Sequence, residues 1–230
     1  MNVYILLDRS GSMESMWKES IHSINAYVKE LDPDTYVHMA VFDYDYNVVR
    51  NGLASEWVPL DSKEIAPRGS TALFDSAARI IHRAIDDAAE RTLIVVMTDG
   101  YENVSKHYKK EDVKSLSNII DGKKWELIFI GVNFDKVGDV AQEQFGRASN
   151  KFNNISAGNM QEYMTKGLAT SSRAYTATGQ AVNITDEDRA WAVRGSFDRG
   201  SLNNGVSNVL TTGLDVGSAP ASVIKSKEVK

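Results

Sequence analysis

Two carboxylates and three hydroxyls, spread over three short stretches of chain, are the residues whose types and spacing could do chemistry together. Asp8, Ser10 and Ser12 fall at two-residue steps in "YILLDRSGSM", Thr71 lies in "RGSTALFD", and Asp99 lies in "VVMTDGYEN". None of these five residues brings sulfur or a histidine nitrogen. Oxygen-only donors suit a hard divalent cation such as Mg2+, Mn2+ or Ca2+ rather than zinc or copper. Gly11 lets its loop curl so that Ser10 and Ser12 face the same point as Asp8. Taken alone, Asp-x-Ser-x-Ser also fits a helix cap, with Ser12 just ahead of a helix starting near Glu14. It fits a nucleophile site too, with Asp8 as the attacking group.

The elements around these stretches decide whether they can meet. Val3 to Leu7 is an apolar run that ends at Asp8. Glu14 to Leu31 carries apolar residues at helical spacing (Met16, Trp17, Ile21, Ile24, Tyr27, Val28, Leu31) and stops at Asp32-Pro33-Asp34. Tyr36 to Phe42 and Tyr46 to Leu53 read as two strands joined at Asp43-Tyr44-Asp45, an antiparallel hairpin. A loop over 55–70 precedes a helix over Ala72 to Ala89. Thr92 to Thr98 ("TLIVVMT") is so continuously apolar that both of its faces must be covered, as in a parallel sheet between helix layers. Further on, the pattern predicts helices over Lys110 to Ile120, Val137 to Phe145 and Asn159 to about Ala174. It predicts strands over Glu126 to Gly131 and Lys151 to Ile155. The fold class is α/β: a doubly wound, mostly parallel sheet with one antiparallel edge hairpin, flanked by helices. Ligands of such sheets sit beyond the carboxyl ends of the strands, where the strand order reverses. Asp8 and Asp99 both fall at that end.

Composition narrows the rest. The 230 residues are 42% hydrophobic and 25% charged, with net charge -5, which gives no general reason to expect nucleic-acid binding. Four histidines and no cysteine exclude thiolate zinc sites, disulfides and cysteine nucleophiles. No apolar run is long enough to span a membrane, and no basic leader precedes Asp8, so a cytoplasmic or assembly-associated location is expected. From about residue 177 the chain turns to Gly, Ser, Thr and Asn. This divides it into a domain over 1–176 and an arm or tail over 177–230, with a short helix capped at Thr185 and reaching Val193. No Gly-x4-Gly-Lys-Ser/Thr, Gly-x-Gly-x-x-Gly or Gly-x-Ser-x-Gly is present, so the commonest nucleotide loops and the serine-hydrolase elbow are missing.

The three stretches resemble the von Willebrand factor type A domain family, whose members carry a metal-ion-dependent adhesion site (MIDAS). "DRSGS" is similar to the family's Asp-x-Ser-x-Ser, Thr71 to its loop threonine in a Gly-Gly-Thr-x-Leu setting, and Asp99 to the aspartate after a buried strand. The resemblance spans roughly residues 1–176. It implies that Asp8, Ser10 and Ser12 bind the cation directly or through water. Thr71 would join when a ligand binds, and Asp99 would hold the metal or a bound water. An acidic side chain of a partner protein would complete the shell. Ser70 departs from the family's second glycine, which would stiffen that loop without removing a ligand. Many family members are intracellular subunits of larger assemblies, and phage and bacterial genomes encode compact versions.

The function expected is therefore a metal-dependent protein-binding module and not an enzyme, with Mg2+ as cofactor (Mn2+ or Ca2+ in its place). The partner would present an Asp or Glu, with no nucleic acid or membrane involved, and self-assembly or docking would run through residues 177–230. Two other readings stand beside it. One is a structural component of a virion or other large assembly. The other is a metal-dependent phosphohydrolase using Asp8. The chain superficially resembles the haloacid-dehalogenase-like phosphatases, but that family has a second aspartate where this chain has Ser10. A seryl hydroxyl cannot serve as its acid and base. Around the site, Asp43 and Asp45 read as turn residues, Asp75 as a first-turn helix residue and Glu102 as an ordinary exposed loop residue, with a place on the rim of the site as its alternative. His22, His82 and His107 read as solvated, and Trp17 and Trp57 as core.

Overall fold

A computed structural model of the chain describes residues 1–133 and 152–185. Six strands form one sheet: β1 Asn2–Asp8, β2 Tyr36–Phe42, β3 Tyr46–Leu53, β4 Thr92–Thr98, β5 Glu126–Val132 and β6 Phe152–Ile155, in the order β3-β2-β1-β4-β5-β6. All neighbours are parallel except β2 and β3, the edge hairpin. Among the described residues the helices are α1 Trp17–Lys29, α2 Leu73–Asp87, α3 Lys110–Gly122 and a composite α4 over 160–178. The last is built of Met160–Glu162, a π segment Tyr163–Leu168 and Ala169–Thr178.

The central strands show why the sheet needs a helix layer on each face. Side chains alternate, so β1 sends Val3, Ile5 and Leu7 to one core and Tyr4 and Leu6 to the other. In the same way β4 divides into Leu93, Val95 and Met97 against Ile94 and Val96. The first core is closed by Ile21, Ile24, Tyr27 and Val28 of α1 with Met160, Met164 and Leu168 of α4. The second is closed by Leu73, Ala77, Ile80 and Ile81 of α2 with Val113, Leu116 and Ile120 of α3. Tyr27 and Ser172, both buried, are hydrogen-bonded at 2.9 Å and tie α1 to α4.

Strand boundaries follow the sequence reading closely, while helix ends differ for identifiable reasons. The helix expected from Glu14 is preceded by a 3-10 turn, Gly11–Met16, and the α-helix proper begins at Trp17. Ser12 makes no capping hydrogen bond; its hydroxyl is engaged elsewhere. The last helix continues past Ala174 to Thr178 and ends at Gly179 in the left-handed conformation. Packing also continues past residue 176, because Val182 and Ile184 are buried in the α1/α4 core. The expected helix over Val137 to Phe145, the one from Thr185 to Val193, and most of the 177–230 arm lie outside the described residues. Among the described residues, no helix is long and apolar enough to cross a membrane.

The strand order reverses between β1 and β4, since β2 lies on one side of β1 and β4 on the other. The carboxyl ends of β1 and β4 therefore frame a crevice, and Asp8 and Asp99 stand at its two lips.

Candidate metal centre

Asp8 is the last residue of β1 and is fully buried. Its Oδ1 accepts the Ser10 amide at 2.7 Å, and its Oδ2 accepts the Thr98 hydroxyl at 2.6 Å. The amide contact turns the chain after the strand without calling on Gly11, whose φ is not positive and where an added Cβ would meet only an ordinary 3.7 Å contact. Ser10 Oγ lies 3.1 Å from Ser12 Oγ, and the Ser12 hydroxyl donates to Asp99 Oδ1 at 2.8 Å. Asp8, Ser10, Ser12 and Asp99 thus form one continuous run, from a buried end at Asp8 through an exposed Ser12 to a half-buried Asp99.

Thr71 is brought to the same place by a different route. Its amide is held by Asn103 Oδ1 at 3.0 Å, and its carbonyl accepts the Asn103 amide at 3.1 Å, which pins the second loop to the third. The Thr71 hydroxyl takes no part in the hydrogen-bonded run. It lies 3.7 Å from where a Cβ on Gly100 would stand, at the edge of the oxygen cluster.

The loop before Thr71 is held in turn by Gly69, whose φ is +70°. A Cβ there would come within 2.3 Å of the Tyr44 ring. Ser70 needs no such conformation, so the serine in place of the second family glycine is accommodated without strain. Gly69→Ala combines an unfavourable backbone with this clash and is expected to destabilise the protein by about 1–3 kcal/mol. Urea denaturation measures it, and an unchanged midpoint would show that the loop relaxes freely.

The electrostatics of the cluster are unbalanced. Among the described residues, no Lys, Arg or His forms an ion pair with Asp8 or Asp99. Arg9, which follows Asp8, is turned away and pairs with Asp43 at 3.0 Å. Burial pushes the Asp8 carboxyl up to about 6, against the lowering effect of the Thr98 and Ser10 hydrogen bonds, and the Asp99 charge adds to the rise. Burial raises Asp99 as well, against its bond from Ser12. A buried carboxylate without a compensating cation is costly, and a divalent cation among these oxygens would supply the missing charge. Among the described residues, no three His, Cys, Asp or Glu side chains cluster as a metal site. The side chains gathered here are instead two carboxylates and hydroxyls, oxygens of the kind that suit a hard cation.

Several residues that build the site differ from the sequence reading. Asp43 is a turn residue as expected, yet its side chain is fully buried and takes both Arg9 and Arg68, the latter at 2.6 Å. Burial opposes its charge, but the Asp45 amide and the two guanidinium groups outweigh that and hold its carboxyl below the usual value. Glu102 is not an ordinary exposed loop residue. It accepts the amides of Phe74, Val104 and Ser105 and the Ser105 hydroxyl, all at 2.6–2.8 Å, joining the Asp99 loop to the start of α2. Asp75 does sit in the first turn of α2, and also accepts the amides of Lys106, His107 and Tyr108. Trp17 is core, with its indole N–H donated to the Ile65 carbonyl. Thr98 and Asn103 were not singled out in the sequence. The polar end of "TLIVVMT", beside Asp99, was the one available signal for Thr98.

A family model, von Willebrand factor type A domain, matches residues 2–166 of the chain. The chain belongs to the von Willebrand factor type A family. No curated protein sequence matches it. Among solved structures, it is similar to the ArnB paralog VWA2 from Sulfolobus acidocaldarius (TM-score 0.59, 18% identity, 73% of this chain and 44% of that one). It is also similar to the von Willebrand factor type A protein from Catenulispora acidiphila (TM-score 0.59, 14% identity, 75% and 42%). A third likeness is to proximal thread matrix protein 1 of the mussel byssus with a zinc-occupied MIDAS motif (TM-score 0.57, 14% identity, 74% and 45%). This chain spans less than half the length of each of these three. At such identities the likeness shows a shared fold. Domains of the family are commonly metal-dependent protein-interaction modules, and the zinc in the mussel protein shows that a MIDAS can hold a metal other than Mg2+.

Proposed function

We propose that this von Willebrand factor type A domain is a metal-dependent protein-binding module and not an enzyme. Asp8, Ser10, Ser12, Asp99 and Thr71 would hold a divalent cation, Mg2+ in the first instance, to which an Asp or Glu of a partner protein closes. The observation that carries this reading is the buried carboxylate of Asp8, which pairs with no Lys, Arg or His among the described residues, at the end of a run of hydroxyl and carboxylate oxygens. The bound cation would supply a Lewis-acid position with room for one outside carboxylate. The chain's own residues fix the rest: Thr98 and the Ser10 amide orient Asp8, Ser12 orients Asp99, and Asn103 holds Thr71 at the edge.

Selectivity for the partner would come from the rim, where exposed side chains surround a partly dry centre. Tyr44, 61% exposed, covers Gly69, and Tyr101, 48% exposed, follows Asp99 by two residues. Beside Tyr44 opens a cleft of about 210 Å³, lined by Asp45, Asp75, Arg79, Lys106 and His107, where residues flanking the partner's acid would lie. The cytoplasmic or assembly-associated location and the docking role of residues 177–230 belong to the same proposal.

The test is capture of partners by the immobilised full-length chain, wild type and Asp8→Ala, with Mg2+ and with chelator. A partner retained by the wild type in Mg2+ alone is expected. An identical set under all four conditions would overturn metal-mediated capture. Trapping of an aspartyl-phosphate at Asp8, or turnover of a phosphoester, would favour the phosphohydrolase reading instead.

A further inference from the structure

We propose that Asp43 is the positioning residue of this metal centre, the group that holds the Asp8 and Thr71 loops in register; the proposal rests on the metal-binding reading above. Asp43 lies in the turn after β2 and is remote in sequence from every candidate ligand. Its side chain is 0% exposed and takes two arginines on one oxygen, Arg9 at 3.0 Å and Arg68 at 2.6 Å. Its other oxygen accepts the Asp45 amide at 2.8 Å, and its carbonyl accepts the Ala72 amide at 2.9 Å.

The positions of these four contacts give the residue its role. Arg9 stands between the ligands Asp8 and Ser10. Arg68 and Ala72 bracket Gly69-Ser70-Thr71. One carboxylate therefore grips both loops from behind, and the backbone bonds Arg68 N to Arg9 O (2.7 Å) and Gly11 N to Gly69 O (3.2 Å) stitch the same seam. The electrostatic effect runs in the same direction. Arg9 and Arg68 are positive charges on the very loops that must receive a divalent cation, and Asp43 turns both away and neutralises one of the two charges. Without the carboxylate, Arg9, whose side chain is 11% exposed, loses its counter-charge, and its ready relief is to swing toward Asp8. It would then compete with the metal for the same oxygens.

The experiment is Mn2+ titration followed by electron paramagnetic resonance on the full chain, at a temperature where circular dichroism shows every variant folded. Asp43→Asn is expected to weaken Mn2+ binding about tenfold, the range found for residues that support metal ligands from outside the shell. Arg68→Met, at a side chain that is 58% exposed, is expected to weaken it about threefold. The double variant should bind no more weakly than Asp43→Asn alone, because both changes break one unit. Wild-type Mn2+ affinity in a folded Asp43→Asn protein, with only the metal-free melting temperature lowered, would reduce Asp43 to a stabilising ion pair and overturn the proposal. Should Asp43→Asn fail to fold, an unchanged affinity in Arg68→Met overturns it equally. A wild-type protein that takes up no more Mn2+ than Asp8→Ala removes the metal-binding reading itself.

Discussion

Asp8→Asn is expected to abolish divalent-cation binding and, in the metal-free protein, to make the fold more stable. The two effects have one cause. Asp8 is fully buried, its charge faces no cation among the described residues, and burial lifts its carboxyl from 3.8 to about 6. An acid whose folded value is raised binds its proton more tightly when folded. Near pH 3 the group is neutral in both states and contributes nothing. As pH rises from about 4 to about 6 the unfolded chain ionises first, so stability falls, and above about 6 the full penalty is present. At pH 8 that penalty is on the order of 2–3 kcal/mol, from roughly two pH units of displacement.

Asn keeps the shape without the charge. Its amide N–H₂ can donate to the Thr98 hydroxyl, which is then free to donate toward the Gly100 carbonyl 3.4 Å away. Its oxygen still accepts the Ser10 amide. Cation affinity, by contrast, should fall by more than about 100-fold, beyond the 10–100-fold that loss of a supporting residue costs a metal site. Calorimetric titration with Mg2+ and urea denaturation in chelator at pH 8 and pH 4 check the two halves. A destabilised Asp8→Asn at pH 8 would show that the carboxylate's hydrogen bonds outweigh its burial. The stabilising gain should shrink toward zero as pH falls to 4.

Glu102→Ala is expected to be the most destabilising change in the loop region, by about 2–4 kcal/mol, since it leaves several amide donors without their charged acceptor. The carboxylate is the one object that the Phe74, Val104 and Ser105 amides share. Phe74 is in the first turn of α2, where helix amides lack intrahelical partners and a negative charge is favoured by the helix dipole. Losing the carboxylate therefore frays α2 and frees the Asp99 loop at once. Since Thr71 precedes α2 and Asp99 precedes Glu102, metal affinity should drop with stability. Glu102→Gln retains one acceptor oxygen and should fall between wild type and Glu102→Ala. Urea denaturation with and without Mg2+ gives both quantities. A Glu102→Ala protein with a wild-type midpoint would mean that water satisfies the freed amides.

The pattern of the sequence determined the order and direction of the elements, because it is local. The period-2 alternation within continuous apolar runs required a sheet covered on both faces, and the strand limits of β2, β3 and β4 follow directly from it. The strand-end placement of Asp8 and Asp99 made the oxygen cluster legible, and the family-like Thr71 joined it. What the tertiary structure alone decided is how those oxygens are held and balanced. Asp43 looks like any turn aspartate until Arg68, 25 residues away, closes on it. Glu102 looks like a solvated loop residue until α2, 28 residues away at Phe74, supplies the amide it accepts. Ser12 looks like a helix cap, and Asp99, 87 residues on, takes its hydroxyl instead. A side chain's type shows which partners it can accept; only the packing of distant segments decides which partner arrives and whether water is excluded when it does. For Asp8 the outcome is a buried charge with no cation of the described chain beside it, and that imbalance is what the proposed metal would relieve.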